Sequence, residues 1–233
     1  MSEWMRKLHK WVGLVLALQF ALWMASGLLM SVLDHEAVEG TKRRSQTTPT
    51  ERLWPAGTVP VAKVLAAARE PVYAVEATWL RERPVYRLVN DQNTWLADAR
   101  TGRPVPVDAA LAALIAAQDY VGPVQADPPQ RLAESNLEAR GHAGAIWRVH
   151  FADPEDTTLY LSAVDGRILE RRNNAWRWFD IAWMLHIMDY SGRKDFNHPL
   201  VIASAAGGLW IALTGLWLLG VSFRLKRLLL RRA

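Results

Sequence analysis

Trp176 to Pro199 reads WRWFDIAWMLHIMDYSGRKDFNHP, and Leu200 to Phe223 continues LVIASAAGGLWIALTGLWLLGVSF. The second part carries no Asp, Glu, Lys or Arg. It is long enough to cross a bilayer, which takes about 20 apolar residues. The first part places Trp176, Phe179, Trp183, Ile187 and Tyr190 on one stripe at helical spacing, with His186 among them. It is too short to span, so the pattern predicts an interfacial amphipathic helix over 176–190. Ser191 to Asn197 breaks that helix, and Pro199 can open the next, expected as a transmembrane helix over 199–223. His198 stands at the lip of that span. A membrane helix approached through two histidines and several tryptophans points to a cofactor buried at the membrane surface.

Working outward, Trp11 to Leu33 is also free of charge and measures about 35 Å as a helix. The run is too long for the core of a signal peptide, and no clear small-x-small site follows it. The expectation is a retained anchor, transmembrane helix 11–33, behind a tail of residues 1–10. Gly13, Ala17, Ala21 and Ala25 recur every four residues, a row that suits close helix approach in lipid. His9 lies one turn before it, and the last span carries a similar row in Ser204, Gly208 and Ala212, with Gly215 nearby. Arg6, Lys7 and Lys10 flank the first span; Arg224, Lys226, Arg227, Arg231 and Arg232 follow the second. The formal net charge of +5 therefore belongs to the two ends and does not argue for nucleic acid. By the positive-inside rule, 1–10 and 224–233 face the cytoplasm and the middle of the chain lies outside.

The middle reads as mixed α+β. Asp34-His35-Glu36 ends the first span, and residues 34–58 are a polar linker. A short helix is expected over Val59–Arg69, then strands at Val72–Leu80, Pro84–Val89 and Thr94–Ala97. Asp108 opens a second helix through Tyr120, residues 123–144 are irregular, and strands follow at Ala145–Phe151, Thr157–Ala163 and Arg167–Arg171. The helix-then-strands order thus occurs twice, over 59–104 and 105–172. The turn Asp98-x-x-Thr-Gly102 is echoed by Ala163-Val-Asp-Gly166.

The chain has no cysteine, which excludes disulfides, thiolate metal sites and covalent haem attachment. There is no G-x-G-x-x-G and no phosphate-binding loop, hence no visible nicotinamide or flavin domain. Any redox activity must draw on a separate electron donor. No Ser-His-Asp or H-E-x-x-H pattern suggests hydrolysis.

Arg6-Lys-Leu-His-Lys-Trp-Val-Gly13, the tyrosine and glycine of Leu159-Tyr-Leu-Ser-Ala-Val-Asp-Gly166, Trp176-Arg-Trp-Phe-Asp180 leading to Leu185-His186, and Thr214-Gly215-Leu-Trp217 form a set. Together they resemble the PepSY-associated transmembrane family of the bacterial inner membrane. The resemblance implies two tandem PepSY-like modules in the periplasm, at 59–104 and 105–172. It also implies likeness to haem-containing ferric and ferric-siderophore reductases, which pass electrons to periplasmic iron. Larger members have four or more spans. This chain has two, so a homodimer would supply a four-helix bundle.

A b-type haem in an electron carrier takes two strong axial ligands, commonly histidine. Of the six histidines, His9 is alone at the cytoplasmic edge, and His35, His186 and His198 lie at the outer edge. His9 and His35 would be about 39 Å apart along one helix, so two haem levels are open. At the outer level His186 pairs with either His35 or His198. At the inner level two copies of His9 across a two-fold axis complete a site, with Met5 a weaker substitute. Plain alternatives stand beside each: an interfacial His9, a solvated His35 at a helix end, a His198 that caps its helix. His142 and His150 read as surface or strand residues.

The expectation is therefore a homodimeric inner-membrane protein with non-covalent haem b, held by His9, His186, His198 and His35. It would reduce ferric iron or a ferric chelate at the periplasmic face. The alternatives are a non-catalytic, membrane-anchored PepSY interaction protein akin to peptidase inhibitors, or a haem subunit of a larger electron-transfer assembly.

Overall fold

The computed structural model describes residues 2–46 and 52–230, with side chains over 3–46 and 52–223. The chain is α+β and divides into two compact units. One is drawn from its two ends, up to Leu33 and from Trp178 onward; the other is Asp34–Arg177.

The first unit is helical. Helix α1 runs Ser2–Val32, α5 ends in this unit (Asn174–Ile187), and α6 runs Pro199–Leu230. Glu3–Val32 and Pro199–Phe223 are each long and apolar enough to cross a membrane. Helix α1 starts well before the expected residue 11, because Glu3 to Lys10 offers no glycine or proline to stop it. Helix α5 stops at Ile187 and so falls short of the expected 190, as Met188 takes a positive φ of 58°. The basic tail falls outside the described side chains, and its last three residues, 231–233, lie outside the described residues altogether.

Helices α1 and α6 pack antiparallel. A Cβ placed on Gly215 would lie 3.4 Å from the His9 ring, one on Gly13 3.3 Å from Ile211, and one on Gly207 2.8 Å from Leu16. Small residues do make this contact, but not in the expected row. Ala17, Ala21 and Ala25 are exposed, while Leu16, Phe20, Trp23, Ser26 and Gly27 turn inward. Four residues advance a helix by more than one full turn, so an unbroken four-residue row winds off the seam. Alternating steps of three and four stay on it. Ala212 of α6 is exposed for the same reason, whereas Ser204 and Thr214 are buried.

The second unit holds two antiparallel sheets. After α2 (His35–Val38), a 3₁₀ turn (Thr41–Arg43) and α3 (Val61–Ala66) come β1 (Ala74–Leu80), β2 (Arg83–Val89) and β3 (Thr94–Asp98), in spatial order β1-β2-β3. Then α4 (Ala109–Asp119) precedes β4 (Gln130–Leu132), β5 (Ile146–Phe151), β6 (Thr157–Ser162) and β7 (Ile168–Arg172), in order β4-β5-β6-β7. The span 34–58 contains two helical turns where a plain linker was expected, with Asp34 capping α2 through the Ala37 amide at 2.9 Å. Residues 47–51 lie outside the described set. Helix α3 is shorter than the expected 59–69, and β4 falls inside the stretch expected to be irregular.

The echo of turns is exact at the level of hydrogen bonds. The Asp98 amide donates to Arg103 O at 2.8 Å and Gly102 N to Asp98 O at 2.7 Å. Ser162 N donates to Arg167 O at 2.9 Å and Gly166 N to Ser162 O at 3.0 Å. Both glycines hold φ near +70°, which a side chain would strain. The two helix-and-sheet groups share one core: Val85 and Leu96 from the first meet Ala112, Ala116, Phe151 and Leu159 from the second. Each such large apolar side chain contributes about 1.5–3 kcal/mol on full burial.

Candidate functional site

Two histidines of the helical unit sit in matching surroundings at opposite ends of α1. His9 is near the start of α1 and faces α6. Its Nδ1 lies 2.7 Å from Thr214 Oγ1, and its ring packs on Gly215 and 6.4 Å from the Trp210 ring. His186 is in the last turn of α5 and faces α1. Its Nδ1 lies 3.1 Å from Ser26 Oγ, and its ring packs on Gly27, with the Trp23 ring 6.5 Å away. Trp23 also donates its indole N–H to the His186 carbonyl at 2.8 Å. The two levels are about 27 Å apart along α1, from His9 to Gly27.

Proton counting gives one arrangement consistent with both imidazole bonds. A hydroxyl has one proton. Thr214 gives its proton to carbonyls of its own helix, Trp210 O at 2.8 Å and Ile211 O at 3.2 Å. Ser26 gives its proton to Trp23 O at 3.1 Å. A hydroxyl that keeps its proton on the carbonyl accepts from the ring, and a neutral ring then carries its proton on Nδ1; a hydroxyl turned to Nδ1 gives the opposite tautomer. In the first arrangement the lone pair stands on Nε2, which makes no hydrogen bond among the described residues. That is the tautomer a metal takes, with the outer hydrogen bond orienting the ring. The residue packed against the ring is glycine in both cases.

A closed loop follows α5, the helix that carries His186. Asp189 Oδ1 accepts the Ser191 and Gly192 amides at 3.1 and 2.9 Å. Its Oδ2 accepts those of Lys194 and Asp195 at 3.0 and 3.1 Å. The Lys194 and Asp195 amides, joined by the Gly192 amide and the Ser191 hydroxyl, hold this carboxyl well below the usual range. Arg193 donates to Asp180 of α5, and Trp183 donates to Arg193 O at 3.0 Å. The loop thus ties back onto the helix that carries His186.

The other expected ligands sit differently. His198 is half-buried, and its Nδ1 accepts the Leu200 amide at 3.4 Å, a capping role at the start of α6. His35 belongs to the Asp34–Arg177 unit, with its side chain 83% exposed and its Nε2 3.1 Å from Glu39. Met5 lies on α1 one turn before His9. Among the described residues no group of three or more His, Asp or Glu is placed to hold a bare metal ion. His142 and His150 lie in the Asp34–Arg177 unit. His142 meets Glu170 at 2.8 Å, and His150 is held between Asp127 and Asp156 at 2.6 and 2.8 Å. The Asp127 bond, against burial and with help from Asp156, raises the His150 pKa.

Sequence reading missed Ser26 and Asp189, and took Thr214 only as part of the Thr214-Gly215-Leu-Trp217 motif. The signal for the hydroxyls was present: each is one polar residue inside an apolar run. No family model, curated protein or solved structure matches the chain.

Proposed function

We propose that this chain is an inner-membrane b-haem protein that carries electrons across the bilayer to ferric iron or a ferric chelate in the periplasm, as its resemblance to the PepSY-associated transmembrane family suggests. The observation that carries the reading is the paired setting: His9 and His186 each bring Nδ1 to a hydroxyl, of Thr214 and of Ser26, and pack the ring on a glycine, one near each end of α1. Bound haem supplies one-electron carriage between its ferric and ferrous states. The residues present fit that group. Thr214 and Ser26 each hold one imidazole by Nδ1, and Gly215 and Gly27 let the rings pack on the facing helix with no side chain between. The outward side chains of both helices are apolar, Val15 and Met24 being 76% exposed, which suits lipid.

Each chain offers one such imidazole per level. A homodimer would supply the second ligand at each level and bring the number of spans to four. His198 and His35 are the outer alternatives within one chain. Basic residues at both ends favour termini in the cytoplasm, with Asp34–Arg177 outside. With no nucleotide domain in sight, a separate donor delivers one electron per Fe(III) reduced to Fe(II).

The test is spectroscopic. Protein purified from haem-replete cells is expected to show a sharp Soret band and, on reduction, split α and β bands. His9→Ala and His186→Ala should each remove part of that spectrum while the protein still inserts. In vesicles with a reductant inside and a ferrous-iron dye outside, the wild type should generate Fe(II) and the double variant should not. A colourless preparation would overturn the reading and leave an anchored interaction protein.

A further inference from the structure

The Asp34–Arg177 unit contains an open cleft of about 700 Å³ between its two sheets. That is within the range of small-molecule sites, about 300–1,000 Å³. Six arginines line it against three carboxylates. The carboxylates are already matched. Arg171 grips Asp119 through two guanidinium nitrogens, Arg87 reaches both Asp165 and Glu76 at 3.0 and 3.1 Å, and Arg167 meets Asp165 at 2.7 Å.

Arg44, Arg52 and Arg81 are left in excess, with no ion pair among the described residues. Two of them are nonetheless held in place, and by neutral groups. Arg81 Nε donates to Gln118 Oε1 at 3.1 Å. Arg52 donates to the Arg81 carbonyl at 2.9 Å and lies over the Trp79 ring, 5.5 Å from its centroid. Neutral acceptors position a guanidinium without cancelling its charge. An arginine so fixed loses less freedom on gripping a carboxylate, and its planar fork matches that group. The apolar floor, which includes Val85 and Leu96, accommodates a carbon skeleton.

We infer that this cleft binds a small polycarboxylate anion, with Arg44, Arg52 and Arg81 as its charge partners and Trp79 as one wall. Joined to the proposed function, it makes ferric polycarboxylate chelates the preferred iron source. The iron in that statement rests on the haem reading; the anion preference rests on the cleft alone.

The experiment is calorimetric titration of the full chain in detergent with citrate, ferric citrate and a cationic ferric trihydroxamate. Citrate and ferric citrate should bind, with affinity falling as salt is raised. The double variant Arg52→Gln, Arg81→Gln should weaken both at least tenfold. Arg100→Gln, in an exposed turn of the same unit, should leave them unchanged. Trp79→Phe should abolish a citrate-induced change in tryptophan emission. Absence of citrate binding, an undiminished affinity in the double variant, or equal affinity for the cationic complex would overturn the inference. The haem reading fails separately: a colourless protein that binds citrate through these arginines keeps the cleft and loses the redox chemistry.

Discussion

His9 Nδ1 and Thr214 Oγ1 lie 2.7 Å apart across the α1–α6 seam, and the same hydroxyl reaches the Trp210 carbonyl at 2.8 Å. The threonine hydroxyl therefore holds the histidine by Nδ1 and leaves Nε2 as its other nitrogen. Thr214→Val keeps the shape and removes the hydroxyl. It should weaken pigment binding at the inner level by about 10–100-fold, the usual effect of losing an orienting partner. Ser26→Ala should act likewise on the His186 level alone. Pigment bound per chain, titrated at limiting haem, reads both. Unchanged stoichiometry and potential in Thr214→Val would reduce that hydrogen bond to ordinary packing.

The glycines make a graded prediction. A Cβ on Gly27 would lie 3.6 Å from His186 Cε1, an ordinary contact. Gly27→Ala should keep the outer-level spectrum and cost little stability. Gly27→Leu has nowhere to place its branch and should displace His186, removing that signal while the inner level persists. The difference spectrum of the two variants measures this directly.

What the sequence made legible was coarse and periodic. Two long apolar helices, mixed α+β in between, the Asp108 cap and the paired turns at Gly102 and Gly166 all follow from local pattern. The packing seam did not. Gly13 was placed correctly, but Ala17, Ala21 and Ala25 followed a strict four-residue step off the contact face. His186 stood out as a polar residue among apolar neighbours, and His9 by its place one turn before Gly13. Their hydrogen-bond partners are hydroxyls more than 150 residues away in sequence, which no local pattern encodes. The Asp189 loop was hidden for another reason. Four amides converge on one carboxylate only because Met188 and Arg193 both adopt positive φ, and neither is a glycine.

That loop gives a pH prediction. Its amides, chiefly those of Lys194 and Asp195, depress the Asp189 pKa in the folded state. The stabilisation is complete above the unfolded carboxyl value, about 3.9. It is lost as pH falls through the lower folded value. Asp189→Asn should lose it at every pH, since an amide cannot accept all four N–H groups. Thermal unfolding from pH 7 down to 2 should show the variant less stable than wild type at neutral pH, with the gap closing in acid. A constant gap would mean that the carboxylate charge does not hold the loop.

Tyr120 supplies the complementary alkaline case in the Asp34–Arg177 unit. Its hydroxyl donates to Asp153 Oδ2 at 3.0 Å, beneath a stacked Phe151 ring 3.9 Å away. Burial, reinforced by that carboxylate, pushes the phenol up to about 12. Burial works against ionisation of Asp153 too, but its bonds from Thr157 and Tyr120 and the nearby Arg43 keep its pKa low. Tyr120→Phe removes one donor and leaves the carboxylate with Thr157, whose amide and hydroxyl reach it at 2.9 and 2.8 Å. The loss should be about 1–3 kcal/mol at neutral pH. The sign at high pH follows from the raised value: the tyrosine's contribution is intact below the unfolded phenol pKa, near 10, and disappears as pH climbs through about 12. Wild type and Tyr120→Phe should therefore converge in stability between pH 10 and 12. Curves that stay parallel across that interval would show that the proton on Tyr120 is not what the buried carboxylate requires.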